Sequence, residues 1–301
     1  MPPFARVTIV GLGLIGSSVA RAVRQAMPEV RLTAYDASAE VRDTARRLEL
    51  ADAVAETPGE AVREAELVIL CVPVGAMGAV AAAIAADLPA GAIVSTWDRQ
   101  GGGATGAGEA LPDATIVPAH PVAGTEKSGP EAGFASLFHG RWCIVTPLAD
   151  GDAAAAERVA DFWRALGSNV ETMAPDHHDR VLAITSHLPH LIAYTIVGTA
   201  NDLAEVTESE VIKFSAGGFR DFTRIAASDP TMWRDVFLNN KDAVLEMLQR
   251  FSEDLSELQR AIRWGDGEKL FDHFTRTRAI RRSIVDQGQD DAAADFGRRH
   301  S

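Results

Sequence analysis

Three stretches of this chain concentrate side chains that can move protons or hold anions. The first, "IVPAHPVAGTEKSGPEAGF" at 116–134, stops a short apolar run at Pro118, then sets His120 ahead of Thr125, Glu126 and Lys127 among glycines. One glycine or asparagine suffices to end a strand, so the histidine and the charged residues need another explanation. A neutral imidazole there is suited to take a proton. The second, "HHDRVLAITSHLPHLIAY" at 177–194, places Ser186 and His190 four residues apart, on one face of a helix, with His187 beside them. Pro189 is expected to kink that helix or open its first turn. The third, "GGFRDFTRIAASDPTMW" at 217–233, reads as a loop with Arg220 and Arg224, and a guanidinium can grip a carboxylate with two parallel hydrogen bonds. Arg224, among the apolar Phe222 and Ile225, is the better ligand; Arg220 reads as a surface ion-pair partner. Histidines 187 and 190 could instead cap helices or satisfy a core. His177, His178 and Asp179 could ligate a metal, but no second well-spaced cluster joins them, and no metal is expected.

A fourth stretch, "VTIVGLGLIGSSVARAV", sets Gly11, Gly13 and Gly16 between a strand and a helix. The first glycine permits a tight turn, the second lets the backbone approach a pyrophosphate, and the third allows close helix–strand packing. The helix start at Leu14 and Ile15 then offers unpaired N–H groups to phosphates. Asp36 ends the second strand twenty residues past Gly16, placed to accept hydrogen bonds from ribose hydroxyls and to repel a 2′-phosphate. That favours NAD over NADP, and Arg42 is the nearest basic residue. Val72 and Pro73, in "CVPV", end a later strand where such folds line the cofactor cleft, through packing and backbone contact. The alternative is a glycine turn without a ligand.

These residues need a scaffold, and the sequence alternates to supply one. Strand-like runs at 6–10, 31–35, 66–72, 91–95, 114–118, 142–146 and 169–173 enclose helical stretches near 14–26, 38–48, 59–65, 75–87 and 152–166. Continuous apolar strands separated by helices predict a Rossmann-like α/β domain with a mostly parallel sheet covered on both faces. After Pro175 no convincing strand follows, and helical patterns take over, predicting an all-α C-terminal domain. Val244, Leu248, Phe251, Leu255, Leu258 and Ile262 recur at spacings of four, three, four, three and four. Such a seam either packs inside the molecule or joins two subunits. The expected organisation is a dinucleotide-binding domain at 1–174, a helical substrate and dimerisation domain at 175–286, and a disordered tail at 287–301, whose "QGQDDAAADFGRRHS" lacks apolar content.

With 301 residues, 47% hydrophobic and 24% charged, the chain has apolar mass for real cores. A net charge of −13 argues against nucleic acid or an anionic membrane as partner. Residues 68–86 carry no charge, but Pro73 and Gly75 interrupt them, and a buried strand followed by a helix is expected rather than a membrane span. Cys71 and Cys143 sit in apolar strand-like runs and read as buried free thiols of a cytoplasmic protein; a disulfide is the other option.

The stretches "HPVAGTEKSGPEAGFASLF", "HDRVLAITSHLPHLIAY" and "GFRDFTRIAASDPTMWRDVFLNN", with the glycine motif, resemble the prephenate/arogenate (cyclohexadienyl) dehydrogenases of tyrosine biosynthesis over residues 6 to about 280. The resemblance implies an oxidative decarboxylation in which NAD takes a hydride from the ring carbon bearing a hydroxyl while the ring loses CO₂. His120 matches the family's catalytic histidine, with activity expected to rise with pH through a group titrating near the ordinary histidine range. Arg224 matches its carboxylate-binding arginine, His190 and Ser186 its polar substrate contacts, Thr125 and Glu126 its pocket lining, and Trp233 a tryptophan near the active-site wall or the dimer partner. The family's pattern also implies an intertwined homodimer. Alternatives are another two-domain hydroxy-acid dehydrogenase, or a dinucleotide-binding protein that has lost catalysis.

The chain departs from the family at 95–103. The family continues its fifth strand into Asp-x-Gly-Ser-x-Lys, whose serine bonds the catalytic histidine or the substrate hydroxyl. Here "STWDRQGGG" follows, with Arg99 at the serine's place. One reading is a local reading-frame slip. Were Ser95 to Gln100 encoded TCG-ACG-TGG-GAT-CGG-CAA, translation from the third base of the Ser95 codon gives Asp-Val-Gly-Ser-Ala. The rival is a genuine variant loop in which Asp98 or Arg99 has a new role.

Overall fold

In a computed structural model the described residues are 1–96, 103–125, 127–148, 151–202 and 217–286. Glu126, the segment 97–102 with Asp98 and Arg99, and the tail expected at 287–301 lie outside them.

The apolar runs form strands β1 (Arg6–Val10), β2 (Arg31–Tyr35), β3 (Ala53–Val54), β4 (Leu67–Leu70), β5 (Ile93–Thr96) and β6 (Thr115–Ile116). They make one parallel sheet in the order β3-β2-β1-β4-β5-β6. That order reverses at β1/β4, where a doubly wound sheet opens a ligand crevice at the carboxyl ends of its strands. Both faces are covered, so the central strands carry no polar alternation. Along β4, Leu67 and Ile69 enter one core with Val7, Ile9 and Val19, while Val68 and Leu70 enter the other with Val94, Ala81 and Ile84.

A second sheet joins β7 (Ala119–Pro121), β8 (Trp142–Val145) and β9 (Asn169–Thr172), with β7 and β8 antiparallel. The sequence predicts His120 in a loop; the structure places it in β7, opposite Ile144. Two prolines obscured this short strand. Pro121 is tolerated because β7 is an edge, where a missing N–H breaks no ladder. Strand β3, two residues long, also escaped the pattern.

Helix α1 (Leu14–Ala26) follows the glycine turn. Past Pro175, which occupies the first turn of a helix, Pro175–Leu182, the chain runs through a π-helical turn, Ala183–His187, into Leu188–Asp202. Pro189 thus sits just after a widened turn, which tolerates its missing N–H. By length and composition these 28 residues could cross a membrane, yet they bury His178 and His187 within the fold. The remaining helices are Gly217–Thr223, Pro230–Asn239, Lys241–Trp264 and Gly267–Asp286. No strand occurs among the described residues after Pro175. By packing, the described residues divide into one compact unit that ends at Val244 and a second that begins at Leu245. Both cysteines are free, and burial pushes the Cys71 thiol up to about 12 and raises that of Cys143. Neither is poised as a nucleophile.

Candidate active site

The glycine turn is built for close backbone approach. Gly11 adopts φ +95°, and a Cβ there would lie 2.4 Å from the Cys71 carbonyl oxygen and 2.9 Å from Val72 Cγ1. One on Gly16 would overlap the Gly11 carbonyl at 1.9 Å. Gly13 differs: a Cβ would meet nothing within 4 Å, so its backbone faces open space at the start of α1. That helix start has no capping side chain and no acidic residue in its first turn, which leaves the N–H groups near Leu14 and Ile15 for an anion.

Beside this turn the Asp36 carboxylate accepts from Leu12 N at 2.8 Å through Oδ2 and from Ser38 N at 2.9 Å through Oδ1. Each oxygen keeps one lone pair for an outside donor. Arg42 is tied down: it donates to the Asp36 and Ala37 carbonyls at 2.9 and 3.2 Å and pairs with Glu56 at 3.1 Å. Pro73 is exposed past the end of β4, with Val72 half-buried against the glycine turn. These features fit a dinucleotide: a pyrophosphate at Gly13 and the helix start, a ribose at Asp36.

The stretch after β7 docks on the same helix. Phe134 N donates to Ser18 Oγ at 3.1 Å, Arg21 donates to the Pro130 carbonyl at 3.3 Å, and a Cβ on Gly133 would lie 2.9 Å from Ser18 N. Gly133, Phe134 and Pro130 therefore fasten the stretch after His120 to the glycine-turn helix.

Around His120 three histidines converge. Its Nδ1 lies 2.9 Å from Nε2 of His178, whose Nδ1 lies 2.9 Å from Oδ1 of Asp179. Asn240 Nδ2 donates to the Asp179 carbonyl at 2.9 Å and meets His187 Nδ1 at 3.1 Å. His187 stands edge-on to Trp233, with ring centroids 6.1 Å apart, and Trp233 stacks on His190. His190 Nδ1 donates to the Ser186 carbonyl at 2.9 Å. Burial lowers the His190 pKa, the Ser186 bond opposes that, and the nearby Arg224 guanidinium adds to the lowering. The sequence candidates His120, Ser186, His190, Arg224 and Trp233 thus belong to one connected cluster.

Thr125 is exposed, and its hydroxyl accepts from Lys127 N at 3.2 Å. The adjacent histidines that could have shared a metal part company, His177 exposed and His178 fully buried. Among the described residues no group of three metal-binding side chains forms. At the end of β5 the Ser95 and Thr96 hydroxyls are buried without a partner among the described residues.

The environment moves the expected titration. Burial, then repulsion from His178 and His187, lowers the His120 pKa from 6.5 to about 3. Burial, then repulsion from His178, with Asp179 opposing and His190 adding, lowers that of His187 to about 4. The ordinary histidine range expected from the sequence is therefore corrected: His120 stays neutral, and competent as a base, far below it. Sequence reasoning missed His178, Asp179 and Asn240 as partners of the histidines. The adjacent "HHD" was visible, but it was weighed only as a metal set.

The family profile described as "Prephenate dehydrogenase, nucleotide-binding domain" matches residues 19–172, and that described as "Prephenate dehydrogenase, dimerization domain" matches 174–276. The chain belongs to the prephenate dehydrogenase family. It is 45% identical to the cyclohexadienyl dehydrogenase of Zymomonas mobilis over 285 residues, covering 94% of this chain and 97% of that protein. With the prephenate dehydrogenase of Bacillus subtilis it shares 32% identity, covering 91% of this chain and 75% of that one. The structure superposes with a TM-score of 0.86 on the prephenate dehydrogenase of A. aeolicus in complex with hydroxyphenyl propionate and NAD+, at 32% identity, covering 94% of this chain and 98% of that one.

Proposed function

We propose that this chain is an NAD-dependent dehydrogenase that oxidatively decarboxylates prephenate, arogenate or both, in tyrosine biosynthesis, as a cytoplasmic homodimer. One observation carries the reading: a histidine kept neutral by burial, His120, lies in a cluster with the anion-binding candidates His190 and Arg224, on a strand followed by a stretch fastened to the glycine-turn helix.

NAD, when bound, accepts the hydride from the ring carbon that bears the hydroxyl. Gly13 and the N–H groups at Leu14, Ile15 and Gly16 would hold its pyrophosphate, Asp36 the adenosine ribose, and Val72 and Pro73 would line the cleft. His120 takes the hydroxyl proton, so the electron pair of that O–H bond forms a carbonyl as the hydride leaves. The ring C–carboxylate bond then breaks, CO₂ departs, its electron pair completes the aromatic ring and the oxygen regains a proton as the phenol. Arg224 and His190 hold substrate carboxylates, with Ser186, Thr125, Glu126 and Trp233 shaping the pocket. Residues 1–174 carry the dinucleotide functions together with His120, Thr125 and Glu126; residues 175–286 carry the other substrate contacts and the subunit interface. No metal is needed for this chemistry.

The test is NADH formation with prephenate and then with arogenate. Turnover of either supports the reading. Retained NAD binding without turnover of either would favour a dinucleotide-binding protein that has lost catalysis, as the departure at 95–103 allows.

A further inference from the structure

We infer that Asp179 and His178 are positioning residues that hold His120 in a single tautomer, with its proton on Nδ1 and its lone pair on Nε2. The inference deepens the proposed function, on which its catalytic arm rests. A carboxylate only accepts, so the 2.9 Å contact with Asp179 Oδ1 requires the proton of His178 to lie on Nδ1. His178 Nε2 is then bare and accepts. The 2.9 Å contact to His120 Nδ1 therefore requires that nitrogen to carry the hydrogen. What remains on His120 is an unprotonated Nε2, the atom a general base uses.

The surroundings leave little freedom in this chain of bonds. His178 is completely buried, so no water replaces Asp179 as its partner. The backbone at Asp179 is held in turn by Asn240, whose amide donates both to the main-chain carbonyl of Asp179 and to His187 Nδ1. The second donation leaves the His187 proton on Nε2. Among the described residues, His178 from the helix Pro175–Leu182 and His187 from the π turn face His120, with the Asp179 carboxylate behind His178. When Nε2 takes a proton, the His120 N–H bond forms as the substrate O–H bond breaks. The new positive charge is shared along the Nδ1–H···Nε2 bond and faces the Asp179 carboxylate. Burial alone would oppose that charge, and the relay answers it.

The experiment combines histidine ¹⁵N NMR on the substrate-free enzyme with kinetics of four variants. Wild-type His120, assigned by its loss in H120N, is expected as the Nδ1–H tautomer; in D179A it is expected to move toward Nε2–H. D179A and H178L should lower kcat by about 10²-fold or more at unchanged KM. H178Q, which puts an amide oxygen where Nε2 stands, should recover much of that loss. NAD affinity in the wild-type range reports an intact fold. Wild-type His120 found as Nε2–H would overturn the inference, as would full turnover by D179A and H178L. If the enzyme turned over neither substrate, the functional reading would fail, yet the NMR measurement would still decide the tautomer.

Discussion

His190 and Trp233 lie ring on ring, their centroids 3.6 Å apart and their planes 23° apart. The contact joins a helix that begins after a π turn to the helix Pro230–Asn239, and it fixes the rotamer of a proposed substrate ligand. Trp233 is 7% exposed, and its Nε1 has no hydrogen-bond partner among the described residues. A buried donor without a partner costs about 1–3 kcal/mol, and an anionic ligand would remove that cost. Trp233→Phe keeps the stacking and deletes the donor. It should therefore melt close to wild type, while KM for the accepted substrate rises by about 10-fold, corresponding to about 1.4 kcal/mol. An unchanged KM beside an unchanged melt would show that the indole N–H does not meet substrate.

The pH profile is the sharpest test of His120. The active form is the neutral imidazole, and the pKa of the free enzyme is lowered to about 3 by burial and by the two neighbouring histidines. Activity is present above that pKa and falls as pH drops through it. Between pH 5 and 8, kcat/KM should thus show no acid limb from this group. A limb at 6.5 or above would contradict the geometry. His120→Asn should lower kcat by about 10²- to 10⁴-fold across that range.

Stability should follow pH through the same burial. His187 is 2% exposed, and its pKa falls to about 4 in the folded state against about 6.5 unfolded. The unfolded chain therefore binds the proton first as pH drops. The stability contributed by the neutral form is present above 6.5 and is lost between 6.5 and about 4. Each unit in that window costs at most about 1.4 kcal/mol for this group. Urea unfolding at pH 7.5 and 5.5 should show the loss, and His187→Gln should reduce it.

Cofactor choice rests on Asp36 and on the engagement of Arg42. A 2′-phosphate would meet the Asp36 carboxylate, and the nearest guanidinium is already committed to two carbonyls and to Glu56. The ratio of kcat/KM for NAD over NADP should be about 10²-fold or more, since like-charge contact costs several kcal/mol. Asp36→Ser should weaken NAD, and it should not create NADP activity by itself, because Arg42 stays bound. Comparable efficiency with both cofactors would remove Asp36 from the role.

Much of this was legible because local signals agreed. Between Arg6 and Asp36 a strand, three spaced glycines, a helix and an acid at the end of the next strand each constrain one another, and the parallel sheet followed. The sequence marked His120 out as a candidate proton acceptor but not as a strand residue. Pro118 and Pro121 read as breakers, and only the second sheet shows that an edge position accepts them. His178 was opaque for a different reason: its partner lies 58 residues away, and adjacency to His177 suggested shared ligation, whereas the helix turns the two apart. The docking of Gly133 and Phe134 on α1 was hidden in the same way, since a glycine demanded by a neighbour 116 residues distant has no local signature.

The helical seam divides by exposure in a way that points to a second copy of the chain. Val244 is buried, while Leu255 and Ile262, seven residues apart on the same seam, are 53% and 67% exposed. Phe271, Phe274 and Ile280 on the next helix add to the apolar surface, at 69%, 55% and 56%. Large apolar side chains exposed in this number on two successive helices suit a protein interface better than water. Carboxylates on the seam would be desolvated on association but remain harmless in a lone subunit, where the positions face solvent. The double variant L255E/I262E is therefore expected to elute as a monomer where the wild type elutes as a dimer in light-scattering chromatography. Its far-ultraviolet dichroism should keep a helical spectrum. A wild-type chain that is already monomeric at micromolar concentration would exclude the seam as a subunit contact.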